Sequence, residues 1–209
     1  AGKNRTIIKA KKDIYSKFIS DATIICEGSV HVGLYCINSN ITAKEVIIDS
    51  PKGQISGGSI QCETKVMSPI LGSPSEKRTI ISVKGFNRNK LKERLQEVIN
   101  SIETIKNELV KVKFEAMNYF GNEQQKKADS FKADGIKQRF NRIKDELQKL
   151  EEEKISIANV LRTRGEGEIA ILKKAYPGVV LEIKNIIKEI DRPVINTTFF
   201  VQDGDIKDI

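Results

Sequence analysis

The chain has 209 residues, 39% hydrophobic and 31% charged, which allows one or two domains with a sizeable core. No run approaches the roughly 18 consecutive apolar residues of a membrane span, and the first residues lack the apolar region of a signal peptide. The net charge of +8 is spread out: residues 1–87 carry 12 basic and 7 acidic side chains, 88–163 carry 17 and 13, and 164–209 carry 7 and 8. No aromatics alternate with a basic stripe along the chain, which argues against a nucleic-acid partner.

From the amino terminus, β-branched residues recur at a long period. One column is Ile8, Ile24, Ile41 and Ile60; a second is Ile14, Val30, Val46 and Val66; a third is Ile19, Ile37, Ile55 and Ile70. Steps of 15 to 20 residues suit a single-chain parallel β-helix, with three short strands per coil feeding a shared core. Short antiparallel strands in a sandwich also give regular spacing and remain an alternative here. Glycines 28, 33, 53, 57, 58 and 72 fall between the columns, where the chain must turn. Cys26, Cys36 and Cys62 are odd in number and lack metal-ligand spacing, so reduced, buried thiols are expected.

The repeat stops near Gly85 and charged heptads follow. Leu91, Leu95, Val98, Ile102, Ile105, Leu109, Val112 and Ala116 alternate steps of 4 and 3, the seam of a coiled coil. Ile136, Phe140, Ile143, Leu147, Leu150, Ile157 and Leu161 form a second seam, interrupted at Lys154, where Ile155 is expected to take over. Gly121-Asn122 and Ala133-Asp134-Gly135 bracket a reversal, so an antiparallel hairpin is predicted, an arm about 45 Å long at 1.5 Å per residue. Tyr119, Phe120 and Phe131 lie near the tip and are candidate partner contacts; plugging the bend is their other reading.

Beyond Arg164, Glu168–Leu172 and Val179–Ile183 read as strands joined through Ala175-Tyr176-Pro177-Gly178 and are expected to be further rungs. Thr197–Val201 reads as a final strand and Asp203-Gly204-Asp205 as a polar turn. The predicted organisation is β-helix rungs over 1–86, an inserted hairpin over 87–163, and returning strands with a carboxy-terminal cap over 164–209.

Several motifs, in this order, resemble the flagellar assembly protein A family. They are Gly53-Gln54-Ile55-Ser56-Gly57-Gly58-Ser59-Ile60, Leu71-Gly72-Ser73-Pro74, a helix opening at Asn89-Lys90-Leu91, and Tyr176-Pro177-Gly178-Val179 after the heptads. The resemblance implies a right-handed parallel β-helix carrying an antiparallel coiled coil, in a cytoplasmic bacterial protein connected with flagellar assembly, without enzymatic activity or cofactor. Gly53, Gly57, Gly58, Gly72, Tyr176, Pro177 and Gly178 are then structural motif residues. The family's amino-terminal domain has no counterpart, so a fragment is expected.

Catalytic chemistry has little to stand on. His31, the only histidine, lies between Val30 and Val32 on a strand and is expected to face outward. A single histidine does not make a histidine-rich metal site. There is no Gly-x-Ser-x-Gly elbow, and Gly165-Glu166-Gly167 lacks the Lys and Ser/Thr of a phosphate loop. Glu27, Glu45, Asp49 and Glu63 could meet on adjacent rungs as a glycosidase pair or a Ca²⁺ cluster, though solubilising surface acids are the simpler reading. Asp203-Gly204-Asp205 lacks the remaining ligands of a calcium loop. The expectation is a scaffold or regulatory interaction protein with protein partners and possible homo-oligomerisation. A β-helix enzyme or carbohydrate-binding module is the alternative, and a self-assembling filament protein a third.

Overall fold

Residues of the first apolar column, spaced 16 to 19 apart along the chain, are paired neighbours on adjacent strands. The computed structural model describes residues 6–121 and 130–209, and the side chains of 6–119 and 134–209. Its strands are β1 (Thr6–Ala10), β2 (Ile14–Ser20), β3 (Ala22–Cys26), β4 (Ser29–Ile48), β5 (Gln54–Leu71), β6 (Thr79–Val83), β7 (Glu168–Ala175), β8 (Val179–Ile183), β9 (Ile186–Ile190), β10 (Val194–Gln202) and β11 (Asp205–Asp208). Two helices, α1 (Arg88–Gly121) and α2 (Ser130–Leu161), lie between β6 and β7.

Parallel pairing joins β1 to β3, β2 and β3 to β4, β4 to β5, β5 to β6 and β7, and β6 to β8. This is a β-solenoid of about four turns, not the antiparallel sandwich. Ile8, Ile24, Ile41, Ile60, Ile81 and Leu181 follow one another in register. Ile24 through Leu181 in that column are fully buried. Each such side chain contributes about 1.5–3 kcal/mol of apolar burial.

The third predicted column needs correction. Ile19 pairs with Cys36 and Cys36 with Ile55, so the inward position is held by Cys36 and, one rung on, by Leu71, both fully buried. Ile37 and Ile70 are only half-buried. Side chains alternate across a strand, so a one-residue shift moves an apolar residue off the core face. The cysteines therefore serve as small core residues. All three thiols are free and buried, and burial pushes the Cys36 thiol up to about 12.

Corners also differ from the expected three short strands per coil. β4 and β5 run 20 and 18 residues and bend without losing their ladders. Left-handed backbone occurs at Asp21 between β2 and β3, at Asn38 within β4 and at Gly57 within β5, with φ of 53°, 51° and 70°. Asp, Asn and Gly are the residues that tolerate this region. Buried hydroxyls close the corners. Ser39 Oγ donates to Ile37 O at 2.8 Å and accepts from Ala22 N–H at 3.2 Å, while Thr79 Oγ1 donates to Lys77 O and accepts from Gly57 N–H.

After the helices, β7 and β8 are parallel rungs, but the last strands are not. β9 returns antiparallel on β8, β10 antiparallel on β7, and β11 antiparallel on β10. β9 has no counterpart among the strands predicted from the sequence. Lys184-Asn185 sits between Ile183 and Ile186 with φ of 51° and 67°, the positive pair a two-residue hairpin requires. Asp203-Gly204, at 56° and 84°, makes the second such turn.

Contacts divide the chain into two compact units, residues 1–88 with 163–209 and residues 89–162. Within the second, Val98, Ile102 and Ile157 form a buried cluster flanked by Leu91, Leu95, Leu147, Leu150 and Leu161. Arg94–Glu153 at 2.8 Å and Arg139–Glu108 at 3.1 Å link α1 to α2. Ile155 does not take over at the seam's interruption and is exposed. It lies one residue, about 100° of helix rotation, from the position of Lys154.

Candidate functional site

The outward face of the first rungs carries two stacked aromatic pairs. β2 and β4 lie in parallel register, placing Tyr15 beside His31 and Phe18 beside Tyr35. Tyr15 and His31 stack with centroids 4.8 Å apart and planes at 9°; Phe18 and Tyr35 stack at 5.4 Å and 19°. Tyr15 remains 73% exposed and Phe18 53%. Offset-stacked aromatic pairs contribute about 0.5–1.5 kcal/mol beyond their area. These rings are absent from the expected sites. Their signal is steps of 16 and 17 residues, the spacing of the core columns, shifted by one residue to the outer face.

His31 faces outward between the fully buried Val30 and Val32, under Tyr15, with Nδ1 3.5 Å from Asp49 Oδ1. Of the four proposed carboxylates, Asp49 faces His31 and Glu45 accepts a hydrogen bond from Ser29 Oγ at 2.8 Å. No group of three or more metal-binding side chains occurs among the described residues.

A second cluster lies where the chain leaves and rejoins the solenoid. Arg88 Nη1 donates to Thr163 O and Gly165 O, both at 2.8 Å, and Phe86 N–H donates to Glu166 O at 2.8 Å. Lys184 Nζ donates to the Glu166 carboxylate, which is held below the usual carboxylate range chiefly by that hydrogen bond. Glu168 accepts from Arg164 N–H at 2.7 Å and pairs with Lys65 at 3.6 Å on the adjacent strand. These contacts hold the two chain ends of the insertion side by side.

The glycine motifs are distributed over corners. Gly53 packs so closely that a Cβ would lie 2.1 Å from Ile48 Cγ2, and at Gly58, with φ of 86°, a Cβ would lie 2.2 Å from Ser39 O. Gly72 and Tyr176 are neighbours: a Cβ on Gly72 would lie 3.3 Å from Tyr176 Cβ, and Tyr176 N–H donates to Leu71 O at 2.9 Å. Gly178 approaches Glu76 O, and Pro177, its neighbour in sequence, is half-buried. Two motifs about a hundred residues apart in sequence thus meet at one corner. Lys174 Nζ sits 4.4 Å over the Tyr176 ring. At the helices, Tyr119 is buried. The side chains of Phe120 and Phe131 lie outside the described residues, as does Asn122.

Shallow depressions occur on the helix pair, one lined by Gln138, Asn141, Arg142, Asp145, Glu146 and Lys149. The lining carries both charge signs and no convergent set of catalytic groups. No described helix is long and apolar enough to cross a membrane.

Comparison with curated proteins and with solved structures finds no match. The family model described as the Flagellar Assembly Protein A beta solenoid domain matches residues 1–206, nearly the whole chain. With its register-stacked rungs and its helices inserted between β6 and β7, the chain belongs to the Flagellar Assembly Protein A beta solenoid family.

Proposed function

We propose that this domain is a non-enzymatic scaffold or regulatory interaction module of the bacterial cytoplasm, acting in flagellar assembly or motility through protein contacts. The observation that carries the reading is the outward aromatic face, Tyr15 on His31 and Phe18 on Tyr35, mounted on a rigid ladder within a flagellar assembly family. Rigid repeat surfaces suit partner recognition because little order is gained on binding, and exposed aromatics dominate interface energetics. Reduced thiols in the core fit a cytoplasmic setting.

The reading takes the solenoid as right-handed and the helices as an antiparallel coiled-coil hairpin inserted as a module over 87–163. Support for the hairpin comes from the seam residues of α1 and α2, each buried or half-buried at the described positions. The turn region with Tyr119, Phe120 and Phe131 is a second proposed contact. Gly53, Gly57, Gly58, Gly72, Tyr176, Pro177 and Gly178 are proposed as structural residues that let rungs approach.

Chromosomal replacement by Tyr15→Ser with Tyr35→Ser tests the function. Soft-agar swimming should fall severely while circular dichroism of the purified variant stays that of a folded β protein. Full swimming by this variant, or loss of function from His31→Ala or Glu63→Ala without loss of folding or partner binding, removes the scaffold reading. The exposed rings also favour a second reading, a carbohydrate-binding face. Calorimetric titration with oligosaccharides distinguishes it, since heat lost in Tyr15→Ser would place sugar on that face.

A further inference from the structure

Three exposed apolar residues of α1 follow a helical period of their own. Val110, Phe114 and Met117 are 65%, 65% and 73% exposed and stand 4 and 3 residues apart in sequence. At about 3.6 residues per turn they share a stripe about 60° wide, centred about 130° around the helix from Leu109, Val112 and Ala116. Those three seam residues are buried or half-buried. Single exposed apolar residues are ordinary on a protein surface, but a row at helical spacing is the pattern by which one helix receives another.

Charge indicates what fits there. Lys111 and Lys113 are exposed, one to each side of the stripe, and no described acid pairs with either. The nearby acids of α1 are engaged elsewhere, since Glu108 and Glu115 both meet Arg139 of α2, at 3.1 and 3.5 Å. A second copy of this stripe would set lysine against lysine whichever way the two helices ran, so self-association is disfavoured. Two uncompensated cations beside an apolar row match instead a helix with apolar residues at the same spacing and carboxylates on their flanks. Phe114 offers it a large ring, and Met117 an adaptable thioether.

We propose that the Val110, Phe114 and Met117 stripe of α1 docks an amphipathic, acid-flanked helix of a protein partner. The partner's apolar residues pack on these three side chains and its carboxylates face Lys111 and Lys113. This rests on the reading of the domain as an interaction module and names the chemistry of one partner. Motility of the Tyr15→Ser, Tyr35→Ser strain tests that reading, whereas peptide binding tests this stripe alone, so either can fail without the other.

The probe is a labelled helical peptide of about three heptads, with leucine at the two core positions of each and glutamate at the two flanking ones. It is added to the 209-residue chain and followed by fluorescence anisotropy. Affinity should fall about tenfold between roughly 50 and 300 mM salt, as for contacts between exposed charges. It should fall about tenfold or more in Phe114→Ser with Met117→Ser, and again in Lys111→Glu with Lys113→Glu. All four positions are exposed, and an unchanged helical signal in circular dichroism checks the fold of each variant. The proposal is overturned by absent binding, by equal binding of a lysine-for-glutamate peptide, or by unchanged affinity in Phe114→Ser with Met117→Ser, which places the peptide elsewhere on the chain. It is equally overturned if vesicles of phosphatidylcholine with phosphatidylserine displace the peptide, which makes the stripe a membrane contact. Self-association in sedimentation that Phe114→Ser with Met117→Ser abolishes also overturns it, because the occupant is then a second copy.

Discussion

The solenoid and the helix pair bury apolar residues in opposite ways. In the solenoid a side chain such as Ile60 has a neighbour above, below and across, and its column is closed from Ile24 to Leu181. In the helix pair the core is a line, with Val98, Ile102 and Ile157 buried while Leu91, Leu95, Leu147, Leu150 and Leu161 keep partial contact with solvent. The lesson is that a stacked core spreads the consequence of a defect along the rungs, whereas a linear seam confines it to nearby turns.

Ile60→Asp is the strongest way to test the contrast. An unpaired charge in a fully buried column should cost more than about 4 kcal/mol and unfold the strands, read as loss of the β signal in circular dichroism. If the chain kept its melting transition, the columns would not be the continuous core described here. Gly58→Val follows, at roughly 3 kcal/mol, because it adds a branched side chain at positive φ against the Ser39 carbonyl. Thermal unfolding of this variant should begin in β4 and β5; an unchanged midpoint would mean the corner relaxes freely.

Leu147→Asp should cost about 2 kcal/mol, since the position is half-buried and the charge keeps some water. Hydrogen exchange should accelerate in α1 and α2 and stay constant around Ile41 and Ile55. Equal loss of protection in the rungs would erase the distinction between the two regions. The smallest effect is expected at the Lys184–Glu166 contact. The Glu166 carboxyl is depressed in the folded chain, so its contribution is present above the ordinary carboxylate pKa and is lost as pH falls through the lower folded value. Both groups are partly exposed, which limits the contribution to about 1 kcal/mol or less. Glu166→Gln should lower the melting temperature slightly at pH 7 and leave it unchanged at strongly acid pH; a constant difference across that range would assign the effect to shape and not to charge.

The first two columns were legible because Ile and Val recur at steps close to one coil, and burial demands that those positions be apolar whatever surrounds them. The seam of α1 was legible for the same reason at a shorter period. Ile37 and Ile70 misled because each stands beside the true inward residue, and Cys36 carries less apolar signal than its neighbour. The outward orientation of His31 was legible, but its stacking with Tyr15 and that of Phe18 with Tyr35 were not, because an outward ladder has no composition rule; only parallel register makes residues 16 or 17 apart touch.

The amino-acid sequence by itself determined the repeat, the insertion of heptads between rungs and the glycine corners, since these follow from local sterics and from the periodicity of apolar residues. Tertiary structure alone decided that the last strands return antiparallel and that Gly72 and Tyr176 share one corner. Each of these is a pairing between distant segments, and the free energy of such a pairing depends on which backbone edge is open when the chain arrives there.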